Sequence, residues 1–380
     1  MLAKNKKLVI IFNNRLPTEK AHGMQIVKMC ESFALSRISV ELWVPKAVNN
    51  IKESIFDYYN ISNNFLIKKI RCINLPKKIF SGGNIYRFRY FTFLFGLVFV
   101  KKNERIFLTR HPEVVFLISF FGGNVFFENH NWYEGKIKIF LFLIKKASGI
   151  IVTSNEIKKE FLKNHFNENM ILVAPNGVDL KKFNLDIKME EARKNLGMSR
   201  DKKIILYTGH LYKKKGVYTL VDAVKRLPVE FIVFIVGGNL DDINKLKEYT
   251  YNHRIKNVFI LGHKKHEEMP IYLKVADFLV IANSAKYKSE ERYTSPLKLF
   301  EYLAAGKVIL ASKVISLQEF VSDDEVVFFQ PDNAKDLAKK IMEISQDRKK
   351  QDNLIKNCRE KSQMFTWQKR AESILKFLDI

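Results

Sequence analysis

The stretch Lys203-Ile-Ile-Leu-Tyr-Thr-Gly-His-Leu-Tyr-Lys-Lys-Lys-Gly216 decides the fold. Its first six residues hold the apolar run Ile204–Tyr207 between Lys203 and Thr208 and are rich in β-branched side chains, the pattern of a strand buried on both faces of a sheet. A glycine-bounded loop follows, then apolar residues at helical spacing from Tyr218 to Leu227. Strand, glycine loop and helix open a βαβ unit, and here that opening comes halfway along the chain. Working outward, Phe231–Val236 with Gly237-Gly238, Val258–Leu261, Phe278–Ile281 and Val308–Ala311 read as further buried strands. Toward the N-terminus the same grammar starts at Lys7–Phe12, runs through a polar loop from Asn13 to His22 closed by Gly23, and enters a helix. Met24, Val27, Met29, Cys30 and Phe33 mark that helix. Val40–Val44, Arg105–Leu108, Asn124–Phe127 and Gly149–Thr153 are its following strands. Two doubly wound α/β halves are expected, joined by the polar, Lys-rich segment Leu180–Asp201 and followed by a last helix, Trp367–Leu378.

Length agrees, since 380 residues suit two domains. With 47 % hydrophobic and 28 % charged residues, and only 16 Gly and 9 Pro, the chain is neither linker-rich nor disordered. The net charge of +25 attracts nucleic acid, an anionic membrane or phosphate-bearing substrates. A competing reading is biased base composition, which can generate a chain rich in Lys, Asn, Ile and Phe. Cys30, Cys72 and Cys358 are odd in number and scattered, which implies reduced thiols rather than a disulfide framework or a cysteine metal site. The start is basic, but the apolar run Leu8–Phe12 is too short for a signal peptide. The longest apolar stretch, Phe91–Val100, is half the roughly 20 residues a spanning helix needs.

Ligands of open α/β sheets bind beyond the carboxyl ends of strands, so chemistry is sought in those loops. In Thr294-Ser-Pro-Leu-Lys-Leu-Phe-Glu-Tyr-Leu-Ala-Ala-Gly306, Ser295 is the expected N-cap, Pro296 the first helical residue and Gly306 the stop. Glu301 falls four residues after Leu297, nearly on the apolar face with Leu297, Phe300 and Ala304. An acid there needs a partner, either a hydroxyl pair such as a ribose diol or a core Arg or Lys. The amides at the helix start, from Ser295 through Leu297 to Lys298, suit a phosphate. The loop Gly209–Gly216, with Lys213, Lys214 and Lys215, suits a diphosphate or else is a solvated lysine run. It is neither a Walker loop nor a GxGxxG fingerprint. Val173-Ala-Pro-Asn-Gly-Val-Asp179 by itself says only turn. Asp241-Asp242 and Asp323-Asp324 read as solvated turn acids, so no metal site is expected.

Taken in order, Ala174-Pro-Asn-Gly-Val-Asp179, Tyr207-Thr-Gly-His-Leu with Lys215-Gly216, Phe234-Ile-Val-Gly-Gly238 and Ser295-Pro-Leu-Lys-Leu-Phe-Glu-Tyr302 with Ala305-Gly306 resemble the retaining glycosyltransferases of family 4. Gly23 stands where that family has its glycine-rich first loop. Glu128-Asn-His130 resembles its Glu-x-His, Thr153-Ser154 its following Ser, and Phe365-Thr-Trp367 the start of its last helix. The resemblance implies the GT-B fold, two Rossmann-like domains facing an interdomain cleft, with a C-terminal helix crossing back. The expected divisions are 1–178 for acceptor binding, 179–363 for the nucleotide-sugar and 364–380 for that helix. It further implies catalytic roles for His130 near the donor sugar, Lys215 at the diphosphate and Glu301 at the ribose. Gly23, Gly209, His210, Lys214, Gly237, Ser295, Pro296, Leu297 and Lys298 would hold the donor. Transfer would retain anomeric configuration without a metal or other cofactor, Lys215 and helix-start amides stabilising the departing diphosphate.

Two positions depart from the family pattern. His210 stands where an Arg is usual, replacing a permanent cation by a titratable ring, with Lys213 or Lys214 as compensation. Tyr293 occupies the place of a Glu eight positions before Glu301, while Glu290 and Glu291 lie just upstream. The Ser-Pro-Leu-Lys form of the motif resembles a subgroup in which that Glu is commonly absent.

The resemblance implies a nucleotide-sugar donor, UDP- or GDP-linked, a saccharide or lipid-linked acceptor of bacterial cell-surface polysaccharide or lipopolysaccharide, and a cytoplasmic enzyme. Tyr86–Lys102 alternates aromatic residues with Arg87, Arg89, Lys101 and Lys102. That segment is either an element seated on the inner face of an anionic membrane or an ordinary helix buried at its centre. A nucleotide-sugar epimerase or hydrolase on the same architecture is the alternative enzyme. A basic scaffold or nucleic-acid-binding protein is the alternative without catalysis, but no RNP, zinc or helix-turn-helix signature supports nucleic acid as a partner.

Overall fold

The computed structural model describes residues 7–74, 82–100, 104–132 and 135–380. The basic first six residues, with Lys101 and Lys102, lie outside them. The chain forms two compact units, one of Met1–Pro175 with Trp367–Ile380, the other of Asn176–Thr366.

The N-terminal unit holds a seven-stranded sheet: β1 Lys7–Ile11, β2 Val40–Pro45, β3 Leu66–Ile70, β4 Arg105–Thr109, β5 Asn124–Asn129, β6 Gly149–Val152 and β7 Ile171–Val173. The order is β3-β2-β1-β4-β5-β6-β7, parallel throughout. The C-terminal unit holds β8 Lys203–Thr208, β9 Phe231–Val236, β10 Val258–Gly262, β11 Phe278–Ile281, β12 Val308–Ser312 and β13 Val327–Phe329. Its order is β10-β9-β8-β11-β12-β13, again parallel. Both sheets reverse their winding beside their first strand, β1/β4 in one and β8/β11 in the other. Ligand loops belong at these switch points.

The apolar runs follow from burial on both faces. In β8, Ile204 and Leu206 join one core cluster while Ile205 and Tyr207 join another. In β9, Ile232, Phe234 and Val236 alternate in the same way with Phe231, Val233 and Ile235. Period two with both faces dry leaves no polar positions, and each such apolar side chain contributes about 1.5–3 kcal/mol.

Three strands escape the sequence reading, β3, β7 and β13, and all three are sheet edges. β3 leaves Leu66 exposed and carries Lys68 and Lys69, so it has no apolar run to detect. Leu180–Asp201 is not a linker. It contains helices Leu180–Phe183 and Met189–Asn195 and packs into the C-terminal unit through buried Phe183 and Ala192. Buried Arg193 anchors it, donating to Asp277 Oδ2 at 2.7 Å and to the Val275 carbonyl at 3.0 Å.

The first helix, Ala21–Leu35, starts earlier than expected and takes Gly23 into its first turn. A Cβ at Gly23 would stand 2.2 Å from the Tyr59 hydroxyl oxygen and 2.5 Å from Thr18 Cγ2. That hydroxyl is fixed in turn, accepting from the Thr18 amide and donating to the Thr18 carbonyl. The last helix, Trp367–Leu378, returns to the N-terminal unit and packs on Ala21–Leu35.

Candidate functional site

In the C-terminal unit the loops after β8, β9 and β11 meet closely. Gly209 and Gly237 both have φ of +121°, and a Cβ on Gly237 would lie 2.2 Å from the Gly209 carbonyl oxygen. Gly216 has φ of +68° and faces the Ala282 carbonyl oxygen, which a Cβ would meet at 1.7 Å. Only glycine fits at these contacts. The Lys214 carbonyl accepts from the Ser284 amide at 3.0 Å, tying the lysine loop to the end of β11.

This pinning turns Lys214 and Lys215 toward Glu290, while Lys213 stays exposed. Lys215 Nζ donates to Glu290 Oε2 at 2.6 Å, and Lys214 Nζ lies 3.4 Å from Glu290 Oε1. Glu290 is buried on a single π-helical turn, Ser289–Tyr293, a local form that concentrates at functional sites. Lys298, in the first turn of helix Leu297–Ala305, reaches back over the Tyr207 ring, its Nζ 3.9 Å from the centroid. Part of its stem is exposed, but the ammonium nitrogen is buried and has no hydrogen-bond partner. Burial, with Lys215 close by, lowers its pKa to about 7, against the pull of Glu290 and Glu301.

Among the described residues Glu301 forms no ion pair with an Arg or Lys. Its Oε1 accepts from Nε2 of His266 at 2.7 Å, which makes Nε2 the protonated nitrogen of that ring. His266 Nδ1 is buried without a partner. Helix Leu297–Ala305 is locked to β8 by Tyr302, whose hydroxyl accepts from the Thr208 amide at 2.9 Å. It ends as expected at Gly306, with φ of +59°.

The helix start differs from expectation by one residue. Pro296 is the N-cap and Leu297 the first helical residue. Ser295 does not cap, because Asn176 occupies it: the Asn176 amide donates to Ser295 Oγ at 3.3 Å and its Nδ2 to the Ser295 carbonyl at 2.6 Å. The Pro-Asn-Gly turn, read alone as a turn, thus buttresses the helix whose first amides lack helical acceptors. His210 is exposed and stacks on Tyr212 at 4.9 Å, its carbonyl accepting from the Tyr207 hydroxyl. Tyr293 is buried.

Lys215, Lys214, Lys298 and Gly209 are therefore brought together around the end of β8, with Glu301 one helical turn beyond Lys298. Glu290 and His266 complete the group. A cavity of about 620 Å³ shares Lys213 and Gly216 with this loop but none of Lys215, Lys298 or Glu301. It lies behind the cradle, along Tyr218 and Tyr249. Among the described residues no three His, Cys, Asp or Glu side chains gather to hold a metal ion. Asp241 and Asp242 open helix Leu240–Asn252 rather than a turn, and Asp323 and Asp324 are exposed.

The N-terminal unit carries a separate polar centre after β4 and β5. Glu128 is buried and accepts from Arg110 Nε at 2.9 Å, from Arg370 Nη2 at 2.6 Å and from His130 Nε2 at 2.8 Å. The two guanidiniums hold its carboxyl well below the usual range despite burial. Arg370 belongs to the last helix and also donates to the Pro175 carbonyl at 2.9 Å. Burial, reinforced by Arg110 against the pull of Glu128, lowers His130 to about 4, so its ring is neutral at pH 7. Because Glu128 only accepts, Nε2 carries the proton and Nδ1 keeps its lone pair.

Residues 188–361, nearly all of the C-terminal unit, match the family model described as "Glycosyl transferases group 1". An uncharacterized glycosyltransferase of Methanocaldococcus jannaschii, MJ1069, is 24 % identical over 357 residues, spanning 87 % of this chain and 85 % of that protein. The Escherichia coli UDP-Gal:alpha-D-GlcNAc-diphosphoundecaprenol alpha-1,3-galactosyltransferase is 29 % identical over 161 residues, 40 % of this chain and 39 % of its own. The crystal structure of Anabaena Alr3699/HepE in complex with UDP and glucose superposes with a TM-score of 0.79 at 15 % identity, covering 98 % of this chain and 99 % of that one. The fold is GT-B, and the C-terminal unit is similar to the group 1 glycosyl transferases.

Proposed function

We propose that the protein is a retaining family 4 enzyme that transfers a hexose from a UDP- or GDP-sugar to a hydroxyl of a saccharide or lipid-linked acceptor during assembly of bacterial cell-surface polysaccharide or lipopolysaccharide. The observation that carries this reading is the buried, unpartnered ammonium of Lys298 beside Lys215 and Lys214, one helical turn from the carboxylate of Glu301. A buried cation without a hydrogen-bond partner invites an anion, and a carboxylate one helical turn away suits the ribose diol of the same ligand. UDP and glucose bound to the Anabaena protein, and the donor and acceptor in the Escherichia coli relative's name, support it.

In this reading the bond from the sugar's anomeric carbon to the diphosphate breaks first. The oxygen left behind gains charge, which Lys215, Lys298 and the amides of Leu297 and Lys298 stabilise without a metal. The acceptor hydroxyl adds to the anomeric carbon on the face the diphosphate leaves. Its proton passes to that phosphate oxygen, so configuration is retained. His130, neutral, serves a sugar hydroxyl through Nδ1 as an acceptor and is not a proton source at pH 7.

The test is turnover of labelled UDP- and GDP-sugars with lipid-linked and oligosaccharide acceptors, with the product's anomeric configuration read by NMR. Acceptor-dependent transfer with retention is expected, reduced at least a hundredfold by Glu301→Ala. Consumption of donor without any acceptor would replace this reading with an epimerase or hydrolase.

A further inference from the structure

Three successive helices of the N-terminal unit turn aromatic rows to solvent. On helix Gly82–Val98 and the residue after it, Phe88, Phe91, Phe95 and Phe99 are 40, 69, 61 and 73 % exposed. Steps of three and four place them on one face, while Phe93 and Leu97 are buried on the other. Helix Pro112–Phe120 repeats the pattern, with Phe116 and Phe120 outward and Val114, Val115 and Ile118 inward. Helix Ile137–Ile144 does so again, with Ile139 and Phe142 outward and Phe140 and Ile144 inward. The rows adjoin. The Tyr90 hydroxyl donates to Glu113 at 2.6 Å between the first two helices, and the Phe116 and Phe142 rings lie 5.7 Å apart between the second and third.

Within its described part the helix of Tyr86–Lys102 is buried along one side, as an ordinary helix would be, and apolar along its exposed side as well. Packing explains only the inward residues. The outward ones would serve the fold equally well as Lys, Gln or Glu, and soluble domains seldom leave so large an apolar patch to water.

Charge selects the occupant. Arg87, Lys138, Lys145 and Lys146 are exposed on or beside these helices, whose one acid, Glu113, is bonded to Tyr90. A second copy of the chain would bring the same positive rim against itself. An anionic bilayer takes aromatic rings at the depth of the acyl boundary and cations at the headgroups together.

We propose that this three-helix face seats the protein on an anionic membrane surface. The exposed rings lie along the sides of helices, which suits an interfacial seat, and among the described residues no helix is long and apolar enough to cross a membrane. A lipid-linked acceptor would then meet the enzyme at the bilayer, but the proposal does not require that acceptor.

The experiment is co-sedimentation of the full chain with phosphatidylcholine vesicles with and without 40 % phosphatidylglycerol. It compares wild type, the exposed-ring variant Phe91→Ser/Phe120→Ser/Phe142→Ser and the rim variant Lys138→Glu/Lys145→Glu/Lys146→Glu. Circular dichroism and the unfolding temperature establish that each variant is folded, independently of donor binding. Binding to the anionic vesicles only is expected, weakened at least tenfold by either variant. Wild-type protein that ignores anionic vesicles, or variants that bind as well as wild type, overturn the proposal. A wild-type dimer that the ring variant makes monomeric, with vesicle binding unchanged, assigns the face to a second copy instead.

Discussion

The Lys215 ammonium rests 2.6 Å from the buried Glu290 carboxylate, so the residue best suited to meet a diphosphate is already held by an internal anion. Glu290 also lies 3.4 Å from Lys214, and it raises the pKa of Lys298. Glu290 thus faces three lysines, with Glu301 drawing on Lys298 as well. The two carboxylates carry less charge than the three lysines bring, leaving room for a further anion.

Replacing that balance is the first prediction. Glu290→Gln should destabilise the free protein by about 3 kcal/mol, the low end for removing one partner of a buried ion pair. Bound nucleoside diphosphate should recover part of this loss, so its stabilising effect is larger in the variant than in wild type. Denaturant titration with and without ligand measures both.

If Lys298 meets the donor as proposed, donor binding should depend on pH. Its folded pKa is about 7 against an unfolded value of 10.5. Between these limits the unfolded chain holds a proton that the native chain has lost. Native stability from this group therefore rises with pH across that window and is flat below it. A bound diphosphate favours the ammonium, so binding at pH 8 should take up a proton and affinity should fall as pH rises above 7. Calorimetry in buffers of different ionisation enthalpy reads the proton, and Lys298→Met should abolish its uptake.

His266 holds Glu301 from outside the helix, at 2.7 Å. His266→Ala should raise the KM for donor about tenfold and leave kcat within about twofold, because the proposed ribose contact of Glu301 would be made equally in ground and transition states. Steady-state kinetics decide this, and an equal loss in kcat would place His266 in the chemical step.

Gly216→Ala should cost more than about 3 kcal/mol, combining a left-handed backbone with a Cβ at 1.7 Å from the Ala282 carbonyl oxygen. Gly197→Ala has the same sign of φ, +63°, but nothing within 4 Å of its Cβ, and should cost only about 1 kcal/mol. Chemical denaturation of the pair separates backbone strain from collision.

Central strands were legible because both their faces are dry, so that β8, β9 and β11 carry unbroken apolar runs. The edges β3, β7 and β13 were not, since an edge needs less apolar surface and two of these are three residues long. In the cradle, Lys215, Lys298 and Glu301 stand in ordered motifs beside glycines and could be found. Their partners could not. Glu290 reaches Lys215 from 75 residues away, and His266 reaches Glu301 from 35. Neither sits in a periodic segment: Glu290 is carried by the turn after β11 and His266 by the turn after β10, and only tertiary packing brings them to Lys215 and Glu301. The shift of the N-cap from Ser295 to Pro296 has the same origin, a tertiary claim on Ser295 by Asn176.

The central claim is that the cradle at the end of β8 binds a nucleoside-diphosphate sugar. The most direct test is thermal unfolding of wild type and Glu301→Ala against UDP-, GDP-, ADP- and CMP-sugars. A donor at about 100 times its dissociation constant should stabilise the native state by about 2.7 kcal/mol. The account predicts that one diphosphate-linked class does so in wild type and loses the effect in Glu301→Ala. No shift with any donor, or an undiminished shift in the variant, would contradict it.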